Sequence, residues 1–364
     1  MKRSAAAATI AEATPRKRSR RIVPRSADEY EEEPCSTLGK GSYGAVVKAR
    51  HRVTGKAVAI KHVIAADGDP EKELMQEARF LDSCAGIPFV VGYHGVVRDP
   101  ATKNLSLVME YVGPSSIAHF LFLRSHDSAP PRLDEPTLRA LMWQLLTATA
   151  GMHARGVIHR DIKPENILVT EDHSAVKICD LGLAMSASDP PPHEPAGTLW
   201  YKAPEMLLDI PYYDARVDAW SLGCVMAAII RGSALFQGCY EDGQLCAIFD
   251  VLGVPDDDAW PGFSSTAFAT VVLPELDVQK HSWLRELFPD TMLSDQGFEL
   301  LNGLLTCNPE NRLTSAAALK LPWFAGVDAM ELPIKKKQLP STLPKKTKKL
   351  PLSKHKRKPI LQCT

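Results

Sequence analysis

The amino-acid sequence predicts an α+β chain, and three observations carry that reading. Val46-Val47 and Ala57-Val58-Ala59-Ile60 flank a Thr54-Gly55-Lys56 turn, which reads as strand, turn, strand. Asp69-Pro70-Glu71 supplies an N-cap, a proline at the first helical position and an acid in the first turn. Leu74, Ala78 and Leu81 follow at helical spacing. A longer helical pattern over residues 136–156, on Leu138, Leu141, Met142 and Leu145, runs into the polar loop His159-Arg160-Asp161-Ile162-Lys163-Pro164-Glu165-Asn166. The chain has 364 residues, 45% of them apolar, enough for one large domain or two fused lobes. No run of about twenty apolar residues is present, so no membrane span is expected. Eight cysteines lie scattered without C-x-x-C spacing, and reduced thiols are expected.

The net charge of zero hides a division. Residues 1–26 hold eight Lys/Arg and one acid, Glu12, and residues 335–358 hold eleven Lys/Arg and no acid. The remaining body carries 24 basic and 42 acidic residues. Residues 1–30, rich in Ala, Arg and Ser without a periodic apolar face, are expected to form a disordered basic tail. Residues 326–364, rich in Lys and Pro, are expected to form a second. The cluster Pro15-Arg16-Lys17-Arg18-Ser19-Arg20-Arg21 resembles a nuclear localisation signal, so a location in the nucleus, or in nucleus and cytoplasm, is expected. The tails would attract nucleic acid only non-specifically and in a salt-sensitive way.

Taken in order, the elements place chemistry at regular points. Leu38-Gly39-Lys40-Gly41-Ser42-Tyr43-Gly44 carries G-x-G-x-x-G, whose glycines let a backbone approach phosphates closely. A dinucleotide-binding unit shares this pattern but needs a helix at the third glycine. A strand follows here instead. Val58-Ala59-Ile60-Lys61 alternates as a strand and ends on a lysine, and Glu77 lies on the helix after it. Leu105–Gly113 reads as a strand leading into a linker. In the loop at 159–166, Asp161 is followed by a lysine two positions later and an asparagine five later. That spacing lets one loop present a carboxylate, an ammonium and a metal-binding amide to one point. Val176-Lys177-Ile178-Cys179 is a short strand before Asp180-Leu181-Gly182.

Together these residues resemble the protein-kinase family. Residues 159–166 match the catalytic loop H-R-D-x-K-x-x-N, and residues 58–61 match V-A-I-K. Asp180-Leu181-Gly182 stands at D-F-G with Leu for Phe, and Ala203-Pro204-Glu205 at A-P-E. The resemblance spans residues 30–325. It implies a bilobal protein-kinase fold over 31–325, with a small β-rich N-lobe at 31–112 and a larger helical C-lobe at 113–325. It implies ATP and Mg²⁺ as cofactors and protein Ser/Thr hydroxyls as acceptors. Asp161, Lys163 and Asn166 would be catalytic. Asn166 and Asp180 would hold the metal. The nucleotide would lie among Leu38, Gly39, Lys40, Gly41, Ser42, Tyr43, Gly44, Val46, Ala59, Lys61, Glu77, Glu110, Val112 and Leu168. Within that set Lys61 would meet phosphates, Glu77 would hold Lys61, and the backbone of Glu110 and Val112 would meet adenine, with Met109 as gatekeeper. Gly182 would permit the turn after Asp180. Glu205 would pair with Arg312, and Asp218 would brace the catalytic loop. The alternative, a kinase-fold scaffold with little activity, is opposed by the intact Lys61, Glu77, Asp161, Asn166 and Asp180.

Thr198-Leu199-Trp200-Tyr201-Lys202, Leu235-Phe236-Gln237-Gly238, Leu252-Gly253-Val254-Pro255 and Trp260-Pro261 are similar to cyclin-dependent-kinase relatives, the plant F group among them. Such relatives dock a cyclin on the helix that here reads Asp69–Glu77, but its acids and the missing P-S-T-A-I-R-E-like run do not indicate one. Ser42-Tyr43 matches a pair that relatives phosphorylate to switch off. Gly197 replaces a bulky residue before Thr198, which puts proline-directed specificity in doubt. The segment 189–197 holds no Ser, Thr or Tyr at the place where relatives are phosphorylated. Two of the three arginines that would receive that phosphate are replaced, by Gln76 and Met185. Arg160 remains, and Glu194 or Asp189 is expected to serve it as a permanent acid.

Overall fold

The computed structural model describes residues 22–41, 44–63, 69–124, 133–275 and 280–327. The alternating strands of the first third build a six-stranded sheet in the order β1-β5-β6-β4-β3-β2. Its members are β1 (Arg25–Ser26), β2 (Tyr30–Gly41), β3 (Gly44–His51), β4 (Ala57–Val63), β5 (Tyr93–Arg98) and β6 (Leu105–Glu110), with helix α1 (Pro70–Ser83) between β4 and β5. All neighbouring pairs are antiparallel except β1 and β5, which run parallel with Arg25 opposite Val97. Period-two alternation sorts the faces. Val58, Ile60, Val97, Val108 and Ala49 form a small core on one side. Val96, Leu105 and Leu107 join Leu74, Ala78 and Leu81 of α1 on the other. Lys61 is therefore turned away from Val58 and Ile60, toward α1. The helix begins as its sequence suggests: the Asp69 side chain accepts from Lys72 N at 3.1 Å, and Pro70 opens the first turn. Such a cap stabilises a helix by roughly 0.5–2 kcal/mol.

The second lobe is helical. After β7 (Ser115–Ser116) and α2 (Ile117–Arg124), α3 (Glu135–Ala154) is capped by the Asp134 carboxylate on Thr137 N. Strand β8 (Val157–Ile158) then leads into the loop at 159–166, and β9 (Ile167–Val169) and β10 (Val176–Ile178) form a hairpin flanked by β7. Strand β11 (Met185–Ser186) pairs back onto β8. The remaining helices are α4 (Pro204–Leu207), α5 (Arg216–Arg231), α6 (Glu241–Leu252), α7 (Leu284–Leu287), α8 (Asp295–Leu304) and α9 (Ser315–Ala318). Every residue of α5 from Val217 to Ile230 is buried, so this helix is the axis of the lobe. It ends where Gly232 adopts a left-handed φ of 89°. A buried bidentate pair joins Glu205 on α4 to Arg312, with both bonds at 2.7 Å.

The sheet lobe and the helical lobe reproduce the expected α+β architecture, with two adjustments. Residues 22–30, expected in the N-terminal tail, belong to the body. Arg25 and Ser26 add an edge strand, and Ile22 packs against the main core. An edge strand of two residues has no periodicity to reveal it. The rest of the tail calls, at 1–21 and 328–364, lies outside the described residues. Cys84, Cys179, Cys224, Cys246 and Cys307 are free thiols as expected, whereas Cys239 is disulfide-bonded. Among the described residues no helix is long and apolar enough to cross a membrane.

Candidate active site

The loop at 159–166 is held from below by α5. Asp218 is fully buried and accepts three donors: His159 N at 2.9 Å, Arg160 N at 2.8 Å and His153 Nε2 at 2.8 Å. Burial raises the Asp218 pKa, but the hydrogen bond and charge of His153, with His159, outweigh it and leave the group below the usual carboxylate value. These bonds keep Arg160 at a φ of 66°, a left-handed conformation costly for a non-glycine residue. The His159 ring accepts from Asp161 N at 3.2 Å through Nδ1 and lies 3.0 Å from Cys179 O through Nε2. It thus ties the loop to the residue between β10 and Asp180.

Asp161 is the convergence point. Its Oδ1 accepts from Thr198 N at 2.9 Å and Thr198 Oγ1 at 2.8 Å. Its Oδ2 accepts from Lys163 Nζ at 2.7 Å and Asn166 Nδ2 at 3.3 Å. Lys163 also donates to Thr198 Oγ1 at 2.8 Å, and Asn166 Nδ2 to Asp161 O at 3.0 Å. Thr198 is therefore bonded directly to the loop at 159–166. Bringing Thr198 in needs Gly197: its φ is 95°, and a Cβ there would lie 2.2 Å from Arg160 O. That requirement accounts for glycine at this position.

Across the cleft, Lys61 Nζ donates to both Glu77 oxygens, at 3.1 and 2.9 Å, and to Asp180 Oδ1 at 2.9 Å. Burial pulls the Lys61 pKa down, but Glu77 and Asp180 more than offset it and hold the ammonium charged, above the ordinary lysine value. Burial pushes Asp180 up; Lys61 outweighs this and leaves Asp180 below its ordinary value. The turn after Asp180 corrects one expectation. The left-handed residue is Asp180 itself, at φ 64°, and not Gly182. At Gly182 a Cβ would instead lie 3.4 Å from Asp180 Oδ1 and 3.9 Å from Lys61 Nζ, so glycine there leaves room beside the charged cluster.

Ala59 is buried, while Leu38, Val46 and Leu168 are half-buried. Gly39, Gly41 and Gly44 lie at the β2–β3 hairpin end, where Gly41 faces Gly44 and Lys40 faces Ala45. Ser42 and Tyr43, and the Lys40 side chain, fall outside the described residues. Met109 and Val112 are buried at the end of β6 and in the linker after it. Glu110 N donates to Gly92 O, and the Glu110 carboxylate accepts from Lys177 at 2.7 and 2.8 Å and from Gly92 N at 3.0 Å. The sequence suggested a backbone role for Glu110 and no role for Lys177. The side-chain pair fastens the end of β6 to β10. Pairing a residue with one 67 positions away leaves no local spacing to read.

Arg160 brings a second correction. Among the described residues no carboxylate serves it. Its Nε donates to Leu183 O at 2.7 Å, and its Nη1 donates to Glu194 O at 3.2 Å and Tyr213 Oη at 3.0 Å. Glu194 contributes its carbonyl, and the Asp189 carboxylate caps Ser186 N instead.

A buried Lys–Glu pair joined to a half-buried Asp, facing an Asp–Lys–Asn–Thr cluster across one cleft, is the arrangement of a phosphoryl-transfer site. The protein kinase domain family model matches residues 33–324. The chain belongs to the protein kinase family. The kinase is 41% identical over 302 residues to a protein of Oryza sativa subsp. japonica named provisionally as cyclin-dependent kinase F-2, covering 81% of this chain and 90% of that one. It is 37% identical over 310 residues to cyclin-dependent kinase B1-1 of Arabidopsis thaliana, covering 81% and 97%. It is 35% identical over 354 residues to cyclin-dependent kinase G1 of Arabidopsis thaliana, covering 92% of this chain but only 54% of that longer protein. These relatives place the kinase in the cyclin-dependent-kinase-like serine/threonine group.

Proposed function

We propose that this kinase transfers the γ-phosphoryl group of ATP to serine and threonine hydroxyls of protein substrates, with Asp161 as the residue that receives or orients the hydroxyl proton. The observation that carries the reading is the Asp161 carboxylate, buried yet gripped by Lys163, Asn166 and Thr198. A base held this way is oriented before substrate arrives. Lys163 would offset charge on the transferring group and on Asp161 together. Lys61, kept charged by Glu77 and Asp180, would meet the nucleotide phosphates.

The donor set fits Mg²⁺. Asp180 and the Asn166 amide offer hard oxygen ligands, and a site of one or two carboxylates completed by substrate phosphates suits that ion. When bound, the metal supplies charge neutralisation at the phosphates. Val112 and Glu110 would meet adenine through their backbone, with Ala59, Val46, Leu38 and Leu168 as apolar walls.

A cyclin-like partner is left to experiment, but α1 has Glu77 on Lys61 in the single chain. That geometry supports activity without one. Nuclear location rests on the basic cluster Arg16–Arg21 and the lysines at 345–358. A fluorescent fusion lacking both tails should lose nuclear accumulation; unchanged accumulation removes them as the signal. To test the activity, the purified chain is incubated with γ-labelled ATP, Mg²⁺ and an array of Ser, Thr and Tyr peptides. Label is expected on Ser and Thr peptides. No label, or label on Tyr alone, refutes the assignment.

A further inference from the structure

The stretch Asp189-Pro190-Pro191-Pro192-His193-Glu194-Pro195-Ala196-Gly197 has no hydroxyl to phosphorylate, yet it is anchored. From Ala187 to Trp200 the one buried residue is His193. Its N–H donates to Pro211 O at 2.8 Å. Its ring Nδ1 lies 3.1 Å from Tyr213 O, and its Nε2 lies 3.2 Å from Asp189 O. The ring also meets Tyr213 edge-on, with centroids 5.0 Å apart, and Tyr212 at 5.5 Å. One imidazole thus joins the start of the stretch to the segment before α5.

Tyr213 carries the connection onward. Its hydroxyl donates to Glu194 O at 2.6 Å and accepts from Arg160 Nη1 at 3.0 Å. Arg160 sits beside Asp161 in the catalytic loop and adds its own bonds to Glu194 O and Leu183 O. Three neutral oxygens therefore occupy a guanidinium that would otherwise suit an anion. Thr198, the hydroxyl nearest this stretch on its far side, is already bonded to Lys163 and Asp161.

We propose that His193 and Tyr213 clasp the segment 187–198 in its ordered position without any phosphate, and that Tyr213 passes this order to Asp161 through Arg160. His193 and Tyr213 are positioning residues, since both act through Arg160 and the segment. The inference rests on the kinase reading for its effect on catalysis, but not for the ordering itself. Order is supplied by burial of one imidazole and two aromatic contacts, where a phosphate would need several charged partners. Four prolines between 190 and 195 restrict the unfolded alternatives and lower the cost of that order.

The test uses the full chain, produced in bacteria with a co-expressed phosphatase and shown by mass spectrometry to carry no phosphate on residues 183–205. Wild type, His193→Ala and Tyr213→Phe are compared by hydrogen–deuterium exchange over 187–197, by affinity for a fluorescent ATP analogue, by melting temperature and by steady-state kinetics on a serine peptide. Unphosphorylated wild type should turn over. His193→Ala should speed exchange across 187–197 about tenfold and lower kcat/KM by a similar factor, mostly through peptide KM, with nucleotide affinity unchanged. Tyr213→Phe keeps the ring and its packing, so it should lower kcat severalfold while exchange near His193 stays slow. Two outcomes overturn the proposal. In one, His193→Ala exchanges like wild type. In the other, wild type is inert until Ser186, Ser188 or Thr198 is phosphorylated. If exchange responds to His193→Ala while neither protein transfers phosphate even after activation, the clasp stands and the kinase reading fails.

Discussion

Two parts of the site are built from different materials. On the nucleotide side, Lys61, Glu77 and Asp180 satisfy one another through side chains. On the segment side, Arg160 is satisfied by two backbone carbonyls and a phenol, and His193 by the backbone around it. The first part depends on charge balance in a buried place. The second depends on the path of the chain, which prolines, glycine and aromatic packing maintain. Changing a charge should therefore disable the first part, and changing backbone freedom should disable the second.

The largest effect is expected at a buried charged pair in the helical lobe, outside both parts. Glu205 and Arg312 are almost wholly buried and bonded twice. Arg312→Leu leaves a buried carboxylate uncompensated and should cost about 3–5 kcal/mol of stability. Urea denaturation measures this. A loss under about 1 kcal/mol, as for an exposed pair, would mean that water reaches Glu205.

Lys61→Met sharpens the contrast. Activity should fall by about 10²–10³-fold, the scale for losing one preorganised charge partner. The companion double variant Lys61→Met/Glu77→Gln should regain stability but no activity, as measured by thermal melts beside a kinase assay. Recovery of activity in the double variant would show that Lys61 only balances Glu77.

These two sites were legible in the sequence because each is a pair of unlike charges at recognisable positions. Asp161, Lys163 and Asn166 share one loop, so their spacing alone brings them together. Lys177 with Glu110, and Tyr213 with Arg160, were not legible. Their partners are far apart in the chain, and a phenol near an arginine carries no spacing signal. The permanent acid expected for Arg160 was wrong for the same reason: Glu194 lies where expected, but its carbonyl does the bonding. Likewise the strain after β10 fell on Asp180, which bonds Lys61, rather than on Gly182 two residues later. Strands β3, β4 and β6 were readable from their apolar runs and the turn between the first two, whereas the order of the sheet and the two-residue β1, which shows no pattern, were not.

Gly197→Ala tests the backbone-built side. The new Cβ would collide with Arg160 O, and the φ of 95° adds strain. A loss of about 1–3 kcal/mol is expected, with a fall in kcat that Lys61 variants cannot mimic through nucleotide affinity. Calorimetry and single-substrate kinetics read both. Wild-type behaviour would mean the segment can shift without consequence.

The smallest effect is in pH. Asp218 is held below its ordinary 3.8 in the folded chain, so the unfolded chain binds the extra proton first as pH falls. Its stabilisation is present above about pH 4 and is lost below, as pH drops through the folded value. Asp218→Asn should be less stable at neutral pH and show a flatter decline below about pH 4. An unchanged acid limb would assign the decline to other carboxylates.

Single-turnover phosphoryl transfer by Asp161→Asn tests the central claim most directly. The enzyme is saturated with Mg²⁺ and labelled ATP, nucleotide binding is confirmed, and label on a serine peptide is followed over time. The account predicts wild-type nucleotide affinity with transfer slowed by about 10²–10⁴-fold. Transfer at the wild-type rate with nucleotide bound would contradict it and move the chemistry away from Asp161.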